Sequence, residues 1–365
     1  MGHHNNNSHK KYHETLLEYE NWDQHYSLIK SYFPDDQQVE KALTIIKKHH
    51  DQPRYHFQGN YINHPVRVAR ILLEEFNIKD KTTILIALLH DLIEWSDYDI
   101  SKIKKEFGEE IDMGVKTLTW DQKGEWVDFV DRIINSGHKN LIKIKIADKL
   151  DNNRGVLMTD NIDEIRKARQ KTIDIMQPVI KKYYPAVWPK FTEVLNKLET
   201  KCLVIIFNSI RDIPYRIPLS LNEPDQCCTG KCQLLKQKLT QAGYQVRYRV
   251  CTFSWNSLDL PPSILNIPNR DLATHVYLEI LLKHIWVTLD PSWDAGLKDI
   301  FPINEWDGFS NTELAVPLTQ IFYPAKSAEI MRRYNDQAIL KDLKINRQFY
   351  QAFNEYLEKE RKNNK

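Results

Sequence analysis

Apolar residues recur at helical spacing through most of the first two hundred positions. Val66–Phe76 (VRVARILLEEF) places them three and four apart, which predicts an amphipathic helix. Thr82–Trp95 (TTILIALLHDLIEW) is apolar almost all round and predicts a central, buried helix. Lys102–Leu118 and Ile162–Lys181 continue the pattern, with Pro178 expected to bend or end the latter. Asn140–Ala147 (NLIKIKIA) alternates as a strand would, yet the polar run Asp148–Arg154 follows it. After residue 200 the period changes. Prolines 214, 218 and 224 mark loops, Thr229–Ala242 reads as a helix, and three strand-like runs follow at Gln245–Phe253, His275–Ile280 and Ile285–Asp290. One helix followed by successive short strands predicts an α+β domain with an antiparallel sheet.

The expected organisation is therefore two domains with a boundary near residue 200. A disordered lead-in covers 1–13, an all-α bundle 14–200, an α+β domain 201–325 and a charged helical tail 326–365. The end of that tail, EYLEKERKNNK, is expected to be a solvated helix end.

Composition narrows the class. The chain has 365 residues, enough for about two domains, and 51 Lys+Arg against 49 Asp+Glu. A formal charge of +2 lacks the basic excess that a nucleic-acid polymer demands. No apolar run approaches the ~18 residues of a membrane span, and the polar start has no signal-peptide core. Five cysteines at irregular spacing make no disulfide framework, so the expected location is a reducing one, the cytoplasm.

His90 and Asp91 are adjacent within the apolar run. A buried carboxylate beside an imidazole needs compensation, which a divalent cation supplies by taking lone pairs from both. Glu94 projects from roughly the same helical face. With His64 in NYINHP and Asp148 in IADKLDNNR, this makes a mixed nitrogen and oxygen ligand set suited to Mn, Fe, Mg or Zn. A histidine held in the core by its neighbouring aspartate is the plain alternative.

Four blocks in order, GNYINHPVRVARIL, ALLHDLIE, IKKEFGEEI and LIKIKIADKLDNNR, resemble the HD hydrolase domain of RelA/SpoT-type alarmone enzymes over roughly residues 40–180. The resemblance implies a helical bundle around a divalent ion, usually manganese, that removes the 3′-pyrophosphate from guanosine tetra- and pentaphosphate. By position it implies His64, His90, Asp91 and Asp148 as ligands and Glu94 acting on the attacking water. Asn152 falls where the family contacts the nucleotide, and Arg54 is the candidate for the arginine packed on the base. Lys149 and Arg154 join Arg54 as candidate holders of the outer phosphates. The resemblance also resolves Leu141–Ala147 as helix. Two positions depart from the family: Trp95 stands where an aspartate follows the glutamate, and Gly155 where threonine is usual.

In the second half, Cys228 precedes a predicted helix, whose dipole favours thiolate. His275 opens one strand and Asp290 ends the next, so strand pairing would bring them together. Cysteine, histidine and aspartate are the parts of a thiol nucleophile, its base and the base's orienter. A zinc cluster of Cys227, Cys228 and Cys232 with Cys202 or Cys251 is the alternative, without CxxC spacing. The segments NSIRDIPYRI, CTGKCQLLKQKLTQAGYQVRY, THVYLEI and WVTLDPSWD resemble the transglutaminase-like superfamily of papain-type thiol enzymes. Counting back from Gly243 and Arg247, that resemblance implies Cys228 as nucleophile, with His275 and Asp290 as partners and a peptide or amide substrate. The reading that emerges is a bifunctional hydrolase. Two alternatives stay open: a thiol amidase whose first domain only senses nucleotides, and a non-catalytic interaction protein.

Overall fold

A computed structural model of the chain describes residues 21–50, 61–120 and 124–363. Arg54 and the 1–13 lead-in lie outside the described residues. The chain divides into two compact units, Met1–Glu199 and Thr200–Lys365. The division falls within one helix, Trp188–Arg211.

The first unit is helical throughout its described length. Lys81–Leu89 is its buried centre. Asp80 caps it by accepting from the Thr83 amide at 2.9 Å, and Ile84, Leu85, Ala87, Leu88 and Leu89 are fully buried. The expected continuous helix to Trp95 does not form. The chain breaks at His90-Asp91 and resumes as the short helix Leu92–Trp95. The break turns the His-Asp pair toward a common point. Similarly, Lys102–Leu118 is two helices, Ser101–Phe107 and Glu109–Leu118, because Gly108 takes φ +96° between them.

Lys139–Val156 is a single 18-residue helix, so the strand-like alternation of its first half is overruled. Leu141, Ile142, Ile144, Ile146 and Ala147 are all buried, which gives a helix apolar on more than one face. Asn63–Arg70 and Ile162–Lys171 each run into a π-helical turn, Ile71–Glu75 and Thr172–Met176. Pro178 sits in the first turn of Gln177–Tyr183, where its missing amide costs no hydrogen bond.

In the second unit the helix Cys228–Gln241 packs against a four-stranded antiparallel sheet of order β3-β2-β1-β4. The strands are β1 (Val246–Ser254), β2 (Leu272–Leu282), β3 (Ile285–Leu289) and β4 (Gln320–Ile321). In register, β1 places Cys251 opposite His275, and β3 places Leu289 opposite Leu278. His275 to Ile280 are buried on both faces of β2, as a central strand should be.

The C-terminal segment is not a solvated tail. The helix Asp336–Asn363 buries Leu343, Phe349, Phe353 and Leu357 in the second unit. Near its end, Arg361 pairs with Asp294 at 2.7 Å and donates to the Tyr215 carbonyl at 2.8 Å. The run is dominated by charge, but its buried apolar positions Leu343, Phe349, Phe353 and Leu357, six, four and four residues apart, form a narrow stripe. No described helix is long and apolar enough to cross a membrane.

Candidate metal centre and thiol centre

In the first unit three polypeptide segments converge. His64 opens the helix Asn63–Arg70, His90 and Asp91 occupy the break, and Asp148 lies on Lys139–Val156. All four side chains are nearly inaccessible. His64 Nε2 lies 3.2 Å from Asp148 Oδ1 and 3.4 Å from Asp91 Oδ2, and His90 Nε2 lies 3.3 Å from Asp91 Oδ1. Ligand atoms of His64, His90 and Asp91 all fall within 4.8 Å of one another. Asp148 Oδ1 is 3.9 Å from His90 Nε2.

The tautomers suit a cation. His90 Nδ1 donates to the Ala87 carbonyl at 2.7 Å, which leaves its buried Nε2 with no hydrogen-bond partner. His64 Nδ1 meets Asp151 Oδ2 at 2.7 Å, which turns Nε2 to the cluster. Asp151 is in turn gripped by Arg67 through Nε at 2.9 Å and Nη2 at 3.1 Å. Tyr61 donates its hydroxyl to Asp91. The charges agree with the geometry. Burial opposes protonation of both imidazoles, but the surrounding carboxylates outweigh it and push both pKa values up. Two buried carboxylates thus call for positive charge at their meeting point, and nitrogen and oxygen donors fit a divalent ion there.

Glu94 stands beside the cluster, half-buried, accepting from the Trp120 amide at 3.2 Å. Burial and then the Asp91 charge push its carboxyl up. Asn152 donates to Asp148 Oδ1 at 2.6 Å. Lys149 is buried, and desolvation brings its ammonium down to about 8. Arg154, six residues past Asp148, falls on another side of the helix and is held on Glu75 at 2.6 and 3.0 Å. Asp97, three residues after Glu94, has its carboxylate 92% exposed beside His49.

Sequence reasoning passed over Tyr61, Arg67, Lys145 and Asp151. The available signal was spacing: Lys145, Asp148 and Asp151 recur every three residues on one helix.

In the second unit Cys228 is the first residue of its helix, with Cys227 preceding. The loop before it crosses the helix so closely that a Cβ on Gly230 would sit 1.8 Å from the Asp225 carbonyl oxygen, so only glycine fits. His275 Nε2 meets Asp290 Oδ2 at 2.7 Å, and the imidazole also interacts with the Cys228 thiol. Asp290 is fully buried and also accepts from the Ser292 amide at 3.1 Å and the Ala315 amide at 2.8 Å. The Cys227 thiol, then His275, hold the Cys228 thiol well below its ordinary range against the effect of burial. Cys227 and Cys232 are pushed up, and burial takes Cys251 to about 11.

Lys231 is buried on the same helix. Its ammonium donates to the carbonyls of Arg211 and Ser292, each at 2.8 Å, and ties the helix to the loop after Asp290. Cys228 and His275 open onto a cleft of about 270 Å³ whose walls include Trp255, Tyr334, Ile339 and Tyr350.

No family model matches the chain. It is 35% identical over 126 residues to the guanosine-3′,5′-bis(diphosphate) 3′-pyrophosphohydrolase MESH1 of Drosophila melanogaster, covering 33% of this chain and 70% of that protein. Identity to human MESH1 is 38% over 87 residues, covering 24% of this chain and 49% of that protein. A probable GTP pyrophosphokinase of Mycobacterium leprae is 30% identical over 148 residues, 39% of this chain. The matched stretch spans only 18% of that kinase and about half of human MESH1. Among solved structures, one described as "A metazoan ortholog of SpoT hydrolyzes ppGpp and plays a role in starvation responses" is 25% identical, with a TM-score of 0.38, covering 44% of this chain and 96% of that one. The transglutaminase likeness of the second unit has no counterpart among these proteins.

Proposed function

The chain belongs, through its helical unit, to the guanosine-3′,5′-bis(diphosphate) 3′-pyrophosphohydrolase family, and from that premise we propose that this unit hydrolyses a 3′-pyrophosphorylated guanine nucleotide. The observation that carries the reading is the convergence of His64, His90, Asp91 and Asp148 on one buried point. These four side chains would hold a divalent ion, with manganese first among Mn, Fe, Mg and Zn. Such an ion lowers the pKa of a bound water and offsets charge on the phosphoryl oxygens.

The chain's own residues do the rest. Glu94, kept proton-competent by burial beside Asp91, takes a proton from the attacking water. The water oxygen bonds to phosphorus, the bond from phosphorus to the 3′ oxygen breaks, and that oxygen recovers the proton. The products are pyrophosphate and guanosine diphosphate. Asn152 and Lys149 flank Asp148 and hold the nucleotide and its phosphates. The test is metal-dependent pyrophosphate release from guanosine tetraphosphate. Release that disappears in the Asp148→Ala protein supports the proposal, and no release at full metal occupancy removes alarmones as substrates.

For the second unit we propose a thiol acyl-transfer site of the transglutaminase-like kind, acting on a peptide or amide. The 2.7 Å contact between His275 and Asp290, with Cys228 lining the same cleft as His275, supports it. Cys228 Sγ would attack the carbonyl carbon, and the C–N bond would break. The amine would leave with the proton from His275, and water or an amine would resolve the thioester. Trapping of an acyl group on Cys228, seen by mass and lost in Cys228→Ala, tests it. If the thiol site turns over while the first unit binds nucleotide without cleaving it, the nucleotide-sensing reading takes over.

A further inference from the structure

Three lysines surround one indole beside the metal centre. Trp126 is half-buried at the start of the helix Trp126–Asn135. Lys171 Nζ stands 5.6 Å from its ring centroid, Lys149 Nζ 5.7 Å and Lys145 Nζ 5.9 Å. Lys145 and Lys149 project from Lys139–Val156 on neighbouring turns, and Lys171 ends the facing helix Ile162–Lys171.

Their charges are not balanced. Lys145 pairs with Asp148 Oδ2 at 2.8 Å. Among the described residues, neither Lys149 nor Lys171 has an ion pair, although Lys149 is only 8% exposed. A π face offsets part of the repulsion between three ammonium groups, but a buried cation without an anion is costly. Because Asp148 joins this group to the cluster, the surplus charge lies where a phosphorylated substrate would be cut.

We propose that Lys145, Lys149 and Lys171 around Trp126 form a diphosphate subsite, the place that binds the pyrophosphoryl group removed in the reaction. The inference rests on the hydrolase reading and extends it to named residues. Two phosphoryl groups match cations supplied from two helices, whereas a single phosphate reaches fewer of them. Ammonium–phosphate hydrogen bonds are charge-assisted and among the stronger polar contacts.

The test is calorimetric titration of the full chain, freed of metal, with inorganic pyrophosphate and with orthophosphate. Pyrophosphate should bind more tightly than orthophosphate. Lys171→Gln, a surface change that leaves packing intact, should weaken pyrophosphate binding roughly tenfold or more. Lys149→Gln should do the same. Lys181→Gln removes another exposed lysine, one set over Trp188, and should change nothing. Equal pyrophosphate affinity in wild type, Lys171→Gln and Lys149→Gln overturns the subsite. This readout needs no turnover. Pyrophosphate binding that is lost in Lys171→Gln by a protein that cleaves no nucleotide would sink the hydrolase reading and keep the subsite. Cleavage with unchanged affinities would do the reverse.

Discussion

The Nδ1 of His64 lies 2.7 Å from Asp151 Oδ2, and both groups are buried. Asp151 thereby fixes the imidazole with Nε2 facing the cluster, while Arg67 cancels the carboxylate's charge from behind. Carboxylate support of a ligating histidine both orients the ring and raises its basicity. Asp151→Asn should weaken metal binding by roughly 10- to 100-fold, measured as the dissociation constant for Mn²⁺ against a competing chelator. Unaltered affinity would make the contact merely structural.

Among the described residues that follow Glu94 in the chain, none is placed as an acidic deputy. Trp95 follows it, Asp97 is exposed beside His49, and Asp99 accepts from the Ser101 amide at 3.0 Å. Glu94→Gln should therefore cut kcat by roughly 10²- to 10⁴-fold while the bound metal content stays at the wild-type level. A loss smaller than fivefold would point to a different proton acceptor.

Much of this site was legible in the sequence, for identifiable reasons. His64, His90-Asp91 and Asp148 are chemically expensive residues set among apolar neighbours, and such placements need a cause. Asp151 and Arg67 were not legible, because a buried ion pair 84 residues apart leaves no local pattern. The break at His90-Asp91 was hidden for a related reason. Apolar periodicity runs straight through it, and only the convergence of ligands in three dimensions explains a helix that stops there. In the second unit, alternation located the strands, and the pairing of β2 with β3 carried His275 to Asp290. The C-terminal helix was misjudged from its charge, since one buried stripe suffices to fix a long helix.

The thiol centre has its own pH signature. Cys228 is held low by Cys227 and His275, and His275 is held high. Its thiolate therefore persists to lower pH than that of an ordinary cysteine and is lost as pH falls through the lowered thiol pKa. The stability that this depressed group contributes is present at higher pH and is lost on acidification. Iodoacetamide should label Cys228 first among the cysteines, at a rate whose decline on acidification comes at lower pH than for an ordinary thiol, read by peptide mass. Cys227, Cys232 and Cys251 should stay unlabelled until the medium is strongly alkaline. Uniform labelling of all four would contradict the thiolate assignment.

Lys231 holds the Cys228 helix to the loop that carries Asp290. Lys231→Met keeps the length of the side chain but strips the carbonyls of Arg211 and Ser292 of their donor. Leaving buried acceptors unpaired costs about 1–3 kcal/mol each, so the second unit should melt several degrees lower. Alkylation of Cys228 should slow in the same protein. An unchanged melting temperature with an unchanged alkylation rate would remove Lys231 from any positioning role.

The most direct measurement pairs metal content with turnover on one preparation. Full-length protein loaded with Mn²⁺ should carry one ion in its first unit and release pyrophosphate from guanosine tetraphosphate, and His90→Ala and Asp148→Ala should lose both ion and release together. Protein that binds no divalent ion, or that releases pyrophosphate equally well with these two side chains removed, would contradict the assignment of His64, His90, Asp91 and Asp148 as a hydrolytic metal centre.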